Sequence, residues 1–423
     1  MVKPRNGQWA AGSFSFIEAS RRSRNIVGAD SRIGYDDAMT ISALAAGICV
    51  SGAGIHALSV GLAARRCARR PGRMRPPDTA PGVTIVQPLC GVESYSRETL
   101  RSIFALDYPD YEIIFCLAHG DDPIAPLVRG AIAANHHRPA RLLIGDDRVS
   151  VNPKLNNVVK GWKAARHEWV IIADSNVLMP NDYIQRLLAC WRPDTGIVCA
   201  PPIGSRAESF AAVIECGFLN TYEARWQYAG ESFGFGFAQG KTMLWRRDIL
   251  ETGGGIEALG AEIAEDAAAT KLIHAQGLSA HLVDRPFQQP LGRRRFRDVW
   301  SRQTRWARLR RATFPLHFAP EVLTTSLLTI GAGAVAAPEF GLSAWHCAAL
   351  VTGYWYAAEA LLAFLAGWQL SWTSPLAWII RDFLLPAMWA QGWRRDNFVW
   401  RGNAMSVDDA FLEEAPSGPP PRI

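Results

Sequence analysis

Eight cysteines lie scattered between Cys49 and Cys347, and no two form a C-x-x-C pair. That absence excludes a readable zinc site or disulfide framework and fits reduced thiols facing a cytoplasm. A general excess of charge is also missing, because the net charge is only +6 over 423 residues. The basic residues in excess are confined to two clusters. One is Arg65, Arg66, Arg69, Arg70, Arg73 and Arg75; the other holds nine arginines between Arg293 and Arg311. A surface that coats polyanions everywhere is therefore excluded, and two local anion-facing patches remain. Residues 1–38 lack any apolar period and read as a polar tail.

A further absence is more telling. The 26 residues from Met39 to Ala64 contain no Asp, Glu, Lys or Arg. A run above about 20 residues can cross a bilayer. It is too long for a signal-peptide core, and no basic segment lies directly before it. Met39 is a candidate start of translation. The arginines that follow put the next segment in the cytoplasm by the positive-inside rule. The 16 tryptophans concentrate after Trp300, which suits a membrane interface.

What is present is organised along the chain. The expected partition is a tail (1–38), a transmembrane helix (39–64), a basic Pro-rich linker (65–81) and a catalytic domain (82–292). A basic amphipathic segment (293–314), a membrane region (315–395) and a tail (396–423) follow. In the catalytic part GVTIVQPL, YEIIFCLA, RLLIG, EWVIIADSN and GIVCAP read as strands separated by helical patterns. The implied fold class is α/β, with a Rossmann-like, mostly parallel sheet. Ligands bind such sheets beyond the carboxyl ends of the strands. After Arg311 come apolar stretches near 322–337, 342–370 and 374–391, carrying Glu359, Arg381 and Asp382. Charges there face a bundle interior or a polar cavity.

Three strand ends carry acids: Glu93, the pair Asp121 and Asp122, and Asp174. Each could cap the next helix. Three at one sheet edge repel one another and call for a cation or a role. Asp174, directly after a buried strand, suits Mg²⁺ or Mn²⁺ on a substrate's phosphates, since these ions favour oxygen ligands. In AEIAEDAAATK, Glu262 and Asp266 share a helical face with Glu265 beside them. Acids so crowded have raised pKa values, as a general base needs. FGFGFAQGKTM imitates a P-loop, but Phe235 stands where the first glycine belongs. It reads instead as a flexible loop beside a substrate.

In SRQTRWARLRR, Phe296, Val299, Trp300, Trp306 and Leu309 fall within about half the helical circumference, with most arginines opposite. This predicts an amphipathic helix resting on a bilayer. Arg302 lies inside the apolar arc and Arg305 near its edge. Both need anionic partners, and a diphosphate is an apt one.

These residues resemble the ceramide glucosyltransferases, membrane-bound relatives of the inverting family 2 glycosyltransferases. Their pattern is three acids followed by (Q/R)-x-x-R-W. Arg302-Gln303-Thr304-Arg305-Trp306 matches the last element. Asp174 in ADSN looks like the second acid and Asp266 in AEDAA like the third. Glu93 in GVES stands where the family usually has Asp. HGDDP and the run Asn152-Pro153-Lys154-Leu155-Asn156-Asn157 also resemble it. The likeness runs from about Gly82 to Phe314 and continues loosely beyond.

The resemblance implies a GT-A fold and an integral membrane enzyme of a bacterial-type inner membrane, with its catalytic domain in the cytoplasm. It implies inverting transfer of glucose from UDP-glucose to the primary hydroxyl of ceramide. Asp266 would be the base. Asp174 would position Mg²⁺ or Mn²⁺ on the diphosphate. Arg302 and Arg305 would assist, with Trp306 under the sugar or the acceptor's entry. Glu93, Asp121 or Asp122, Lys154 and Asp174 would form the nucleotide-sugar site. The competing readings are another lipid acceptor (hopanoid or diacylglycerol), another UDP-sugar, a processive polysaccharide synthase, and a non-enzymatic lipid binder. Nucleic acid is not expected as a partner.

Overall fold

The computed structural model describes residues 16–69, 72–76, 79–394, 397–400 and 403–406. These fall into two compact units. One comprises residues up to 53 together with 328–352. The other comprises 54–327 and everything from 353 onward.

The chain order is α1 (Phe16–Cys67), β1 (Val83–Leu89), α2 (Ser96–Phe104), β2 (Tyr111–Leu117), α3 (Ala125–Ala134), β3 (Ala140–Ile144), α4 (Pro153–Ala164) and β4 (Trp169–Ala173). Next come α5 (Tyr183–Leu188), β5 (Thr195–Cys199), β6 (Ile203–Ala207), α6 (Phe210–Cys216), a π-helix (Gly217–Ala224) and α7 (Arg225–Ser232). Then follow β7 (Thr242–Arg246), α8 (Arg247–Thr252), α9 (Glu265–Ala275), β8 (Ser279–Leu282), β9 (Gln288–Gly292) and α10 (Phe296–Thr313). The chain closes with α11 (Pro315–Phe318), α12 (Ser326–Ala336), α13 (Ala344–Ala366), α14 (Ser374–Arg394) and the hairpin strands β10 (Asn397–Trp400) and β11 (Asn403–Ser406).

The larger unit is built on a seven-stranded sheet of order β3-β2-β1-β4-β7-β5-β8. β1 and β2 are buried along their whole length, as continuous apolar runs in a sheet covered on both faces must be. All five expected strands form. The parallel expectation needs one amendment, since β7 runs antiparallel between β4 and β5. One face packs on α2, α3 and α5 through Leu100, Ile103, Val128 and Ile184. The other packs on α4, α8 and α9 through Val158, Trp162, Leu250 and Ile273. That second core continues into Val60 and Ala63 of α1 and Trp355 and Leu362 of α13. The seven-stranded sheet and the inner ends of the apolar helices therefore share one hydrophobic core.

Two helical segments are long and apolar enough to cross a membrane, Met39–Cys67 and Ala344–Ala366. Pro315–Thr324 with Ser326–Phe340 passes the same test only as one broken or re-entrant span. The expected tail is revised, because residues 16–38 form the start of α1; residues 1–15 lie outside the described set. The linker is revised too. Arg66 belongs to α1 and pairs with Glu231 at 2.9 Å and with Asp284. α14 was expected as a membrane segment but does not qualify as a span among the described residues. Its buried Arg381 pairs with Glu359 and Asp382, each at 2.8 Å. These charges do face a bundle interior. In the smaller unit, Ala45 of α1 packs with Ala332 and Ala336 of α12. Small residues of this kind let helix backbones approach in a membrane.

Candidate active site

A cavity of about 1400 Å³ opens beyond the carboxyl ends of β1, β2 and β4. Three loops feed it. After β1, Gly91 adopts φ +68, a left-handed turn that glycine tolerates. Its N–H donates to both carboxylate oxygens of Asp122, at 3.1 and 3.0 Å. Asp122 also accepts from the N–H of Ile124 at 2.9 Å. Asp122 thus lines the cavity while tying two loops together. Asp121, named with it as a nucleotide contact, is exposed and does not line the cavity. Glu93 lines the wall, and its carboxylate accepts from Asn176 Nδ2 at 3.5 Å.

The centre is an ionic lattice. Lys154, in the first turn of α4, is placed there because the Asn152 side chain caps that helix by accepting from the N–H of Lys154 and Leu155. Its ammonium meets Asp174 Oδ1 at 2.8 Å, Glu265 Oε1 at 2.6 Å and the Gly240 carbonyl at 2.5 Å. Lys241 meets Asp174 Oδ2 at 2.8 Å and Asn176 Oδ1 at 3.1 Å. Asp266 Oδ2 accepts from the N–H of Gly240 at 3.0 Å. A Cβ on Gly240 would stand 2.9 Å from Glu265 Oε1 and 3.3 Å from Asp266 Oδ2, so only glycine leaves this backbone open to both acids.

The electrostatics separate the two key acids. Burial alone would raise the Asp174 carboxyl, but Lys154 and Lys241 hold it well below the usual carboxylate range. Burial would lower Lys154, yet Asp174 and Glu265 keep it firmly an ammonium. For Lys241 burial wins and its pKa falls, although Asp174 opposes the change. Asp266 goes the other way. Burial, and then the charge of Glu265, push its carboxyl up to about 6, with Lys154 opposing. Two carboxylates in one pocket thus have their pKa values driven apart, an arrangement chemically able to separate charge stabilisation from proton acceptance.

The acidic segment differs from expectation in one respect. Glu262 precedes α9, pairs with Lys271 at 2.5 Å and does not share a helical face with Asp266. Glu265 is the neighbour that raises Asp266.

α10 also departs from the expected surface helix. It packs against α14 and α6 and buries Val299, Gln303 and Ala307, one helical stripe. Trp300 packs beside Val299 and Met388, and Trp306 beside Leu219 and Leu291. The arginines from Arg302 to Arg311 are half-buried and engaged, whereas Arg297 at the start of the helix is exposed. Arg302 pairs with Glu215, Arg310 with Glu321 at 2.8 Å, and Arg308 donates to the Asn397 carbonyl at 3.1 Å. A helix so surrounded does not rest on a bilayer by its tryptophan face. Arg302, Arg305 and Trp306 do line the cavity, as do Lys154, Asp174 and Asp266.

Sequence reasoning did not identify Glu215 or Lys241. Glu215 is 1 % exposed and sits 87 residues from Arg302, so no local pattern links them. Lys241 had a signal, the Gly-Lys-Thr that imitated a P-loop: glycine for close backbone approach and lysine for an anion, on a different scaffold.

Among the described residues no three His, Cys, Asp or Glu side chains converge on a metal position. The oxygens available for a hard cation are the Asp174 carboxylate and Asn176 Oδ1, both now held by ammonium groups. Mg²⁺ is commonly bound by one or two carboxylates with substrate phosphates and water completing the shell. The donor set fits such an ion once an ammonium yields its place, and Lys241 is the more weakly protonated of the two.

A sequence profile described as glycosyl transferase family 21 matches residues 46–411. Ceramide glucosyltransferase 1 of Caenorhabditis elegans is 26% identical over 347 residues, 79% of this chain and 73% of its own length. Ceramide glucosyltransferase of Komagataella phaffii is 36% identical over 114 residues, 26% of this chain and 22% of that one. Among solved structures, the mannosyltransferase PcManGT from Pyrobaculum calidifontis in complex with GDP-Man and Mn²⁺ aligns with a TM-score of 0.48. That alignment has 20% identity and covers 84% of this chain and 99% of that chain.

Proposed function

The chain belongs to glycosyl transferase family 21, and on that premise we propose that it transfers glucose, with inversion, from UDP-glucose to the primary hydroxyl of ceramide. The observation that carries this reading is the pair of acids at the sheet edge. Asp174 is held ionised by two lysines, and Asp266, a few residues away in space through Gly240 and Lys154, is poised near pH 6. The lining of the cavity they share also includes Phe235, Trp306, Phe314 and Phe318, apolar surface that suits a lipid chain.

In this mechanism the acceptor hydroxyl approaches the anomeric carbon from the side opposite the diphosphate. Asp266 takes its proton as the new carbon–oxygen bond forms and the bond to the phosphate oxygen breaks. The Gly240 N–H fixes Asp266 Oδ2 and so orients the carboxylate for the acceptor hydroxyl. Lys154, Arg302 and Arg305 face the departing UDP and offset its charge. Glu215 aims Arg302 at the cavity rather than at solvent. A divalent ion on Asp174 and Asn176, Mg²⁺ or Mn²⁺, would supply further neutralisation of the diphosphate. Glu93 and Asp122 border the nucleotide side. The catalytic domain (82–292) and the seam (293–314) face the cytoplasm of a bacterial-type inner membrane in this reading, with α1 and α13 as anchors.

The test is a donor-by-acceptor panel with purified protein, read as UDP release and by mass spectrometry of the lipid. UDP-glucose with ceramide is expected to give a monohexosyl product. No product with ceramide, but product with a hopanoid or a diacylglycerol, would replace the acceptor. A polymer would replace the class.

A further inference from the structure

The cavity holds a carboxyl that the transfer step does not use. Glu223 lies on its wall beside Tyr222, Trp226 and Gln227. It belongs to the π-helix Gly217–Ala224, a wide turn inserted between α6 and α7. Such turns are rare and recur at functional sites. This one is fastened on several sides. Arg381 Nη1 donates to the Gly217 carbonyl at 3.1 Å and to Thr221 Oγ1 at 2.9 Å. The Asn220 side chain closes on the backbone of Gly204, at 2.7 and 2.9 Å. The Tyr222 hydroxyl meets Thr324 Oγ1 at 2.8 Å. The backbone under Glu223 is therefore held firmly while its side chain is left for the cavity.

The charges around Glu223 are already matched to others. Arg310 is taken by Glu321 in a two-point contact at 2.8 and 3.0 Å, and Arg302 by Glu215. No hydrogen bond or ion pair from a described residue engages the Glu223 carboxyl. Burial, only partly offset by Arg310, pushes it up to about 7. A carboxyl near its midpoint both donates and accepts hydrogen bonds, matching a group that offers an N–H or O–H beside a carbonyl.

We propose that Glu223 binds the polar head of the acceptor lipid through its amide and secondary hydroxyl, and so selects lipids carrying such groups next to the reacting alcohol. This rests on the lipid-glycosyltransferase reading above. It deepens that reading by assigning acceptor choice to a residue outside the three acids and the R-x-x-R-W element. A diacylglycerol offers ester carbonyls but neither an N–H nor a secondary hydroxyl beside the reacting alcohol, so it gains less from Glu223.

The experiment compares wild type, Glu223→Gln and Glu223→Ala with short-chain ceramide and dioctanoylglycerol as acceptors and UDP-glucose as donor. Loss of a hydrogen bond to a charged or polar carboxyl is expected to raise KM for ceramide at least about tenfold in Glu223→Ala. KM for UDP-glucose should stay within about twofold, because the proposal assigns Glu223 to the acceptor and not to the donor. Glu223→Gln, which still donates and accepts, should recover most of the loss. The preference for ceramide over dioctanoylglycerol should fall with the alanine variant. Unchanged ceramide KM, or an equal rise for both acceptors, would overturn the Glu223 inference and leave the enzyme reading standing. Wild type inactive with every acceptor, or active only on dioctanoylglycerol, would overturn both. Thermal melting of each variant separates misfolding from binding, and the glutamine variant carries the test if alanine unfolds.

Discussion

Asp266 supplies the sharpest quantitative expectation. Its carboxyl is raised to about 6 by burial and then by Glu265. An unperturbed aspartate titrates near 3.9. If Asp266 is the base, kcat/KM for UDP-glucose at a fixed, subsaturating acceptor concentration, which follows the free enzyme, should fall about tenfold between pH 7 and pH 5. With an ordinary aspartate the same interval would cost less than about a tenth of the rate. Asp266→Asn should lose roughly 10²- to 10⁴-fold in rate. The same variant should melt higher at pH 7. The raised pKa favours the folded state fully below about pH 4, and that contribution is lost as pH rises through about 6. At neutral pH the native protein therefore carries an uncomfortable charge that asparagine removes. Glu265→Gln should move the acid limb to lower pH, since it deletes one of the two causes of the shift. The assay is initial-rate UDP release from pH 4.5 to 8, with melting curves on the same samples. A rate flat down to pH 5, or an asparagine variant retaining more than a tenth of the activity, refutes the assignment.

Other expectations concern the cations. Lys154→Met leaves Glu265 without an ammonium partner and Asp174 with Lys241 alone, and removing one partner of a largely buried pair costs about 3–5 kcal/mol, readable in denaturant melts. Lys241→Met frees one oxygen of Asp174 and should tighten Mn²⁺ binding without nucleotide by at least about tenfold, measured by paramagnetic resonance; unchanged affinity would show that Lys241 does not hold the cation's place. Arg302→Ala should lower turnover by about 10²-fold or more while lipid association persists. If turnover is unaffected, the arginine run only anchors the protein.

The strands and the acids at their ends were readable because apolar runs closed by proline, glycine or a polar turn encode a buried strand locally. Direction is not encoded locally, so β7 escaped. TMLWR is apolar enough for any core strand, and only pairing with β4 and β5 reveals that it runs the other way. Asp174 and Asp266 stood out by pattern, whereas their settings did not. The lysines on Asp174 come from 20 residues upstream, in Lys154, and from a loop that imitated another motif, in Lys241. The helical wheel placed Arg302 inward correctly but could not know that Glu215 waited there. It also turned Trp300 and Trp306 toward lipid, because an apolar stripe looks the same whether a bilayer or α14 and α6 cover it. The cap at Asn152 has a short-range signature, Asn followed by Pro, that the strand-by-strand reading passed over, whereas the π-helix under Glu223 has none.

The packing of α10 between α6 and α14 bears on how far this enzyme can be dissected. Cutting after Thr313 keeps every acid and the whole R-x-x-R-W run, and on paper yields a water-soluble transferase. In the fold it would strip α14 from the back of α10, uncovering Val299, Trp300 and the buried stripe. It would also remove Arg381 from the π-helix and Glu321 from Arg310. Arg302 and Trp306 would then sit on a helix held on its α6 side alone. Within the larger unit α10, α14 and the π-helix are packed together, so a shortened chain should bind nucleotide poorly and aggregate rather than merely lose its lipid substrate.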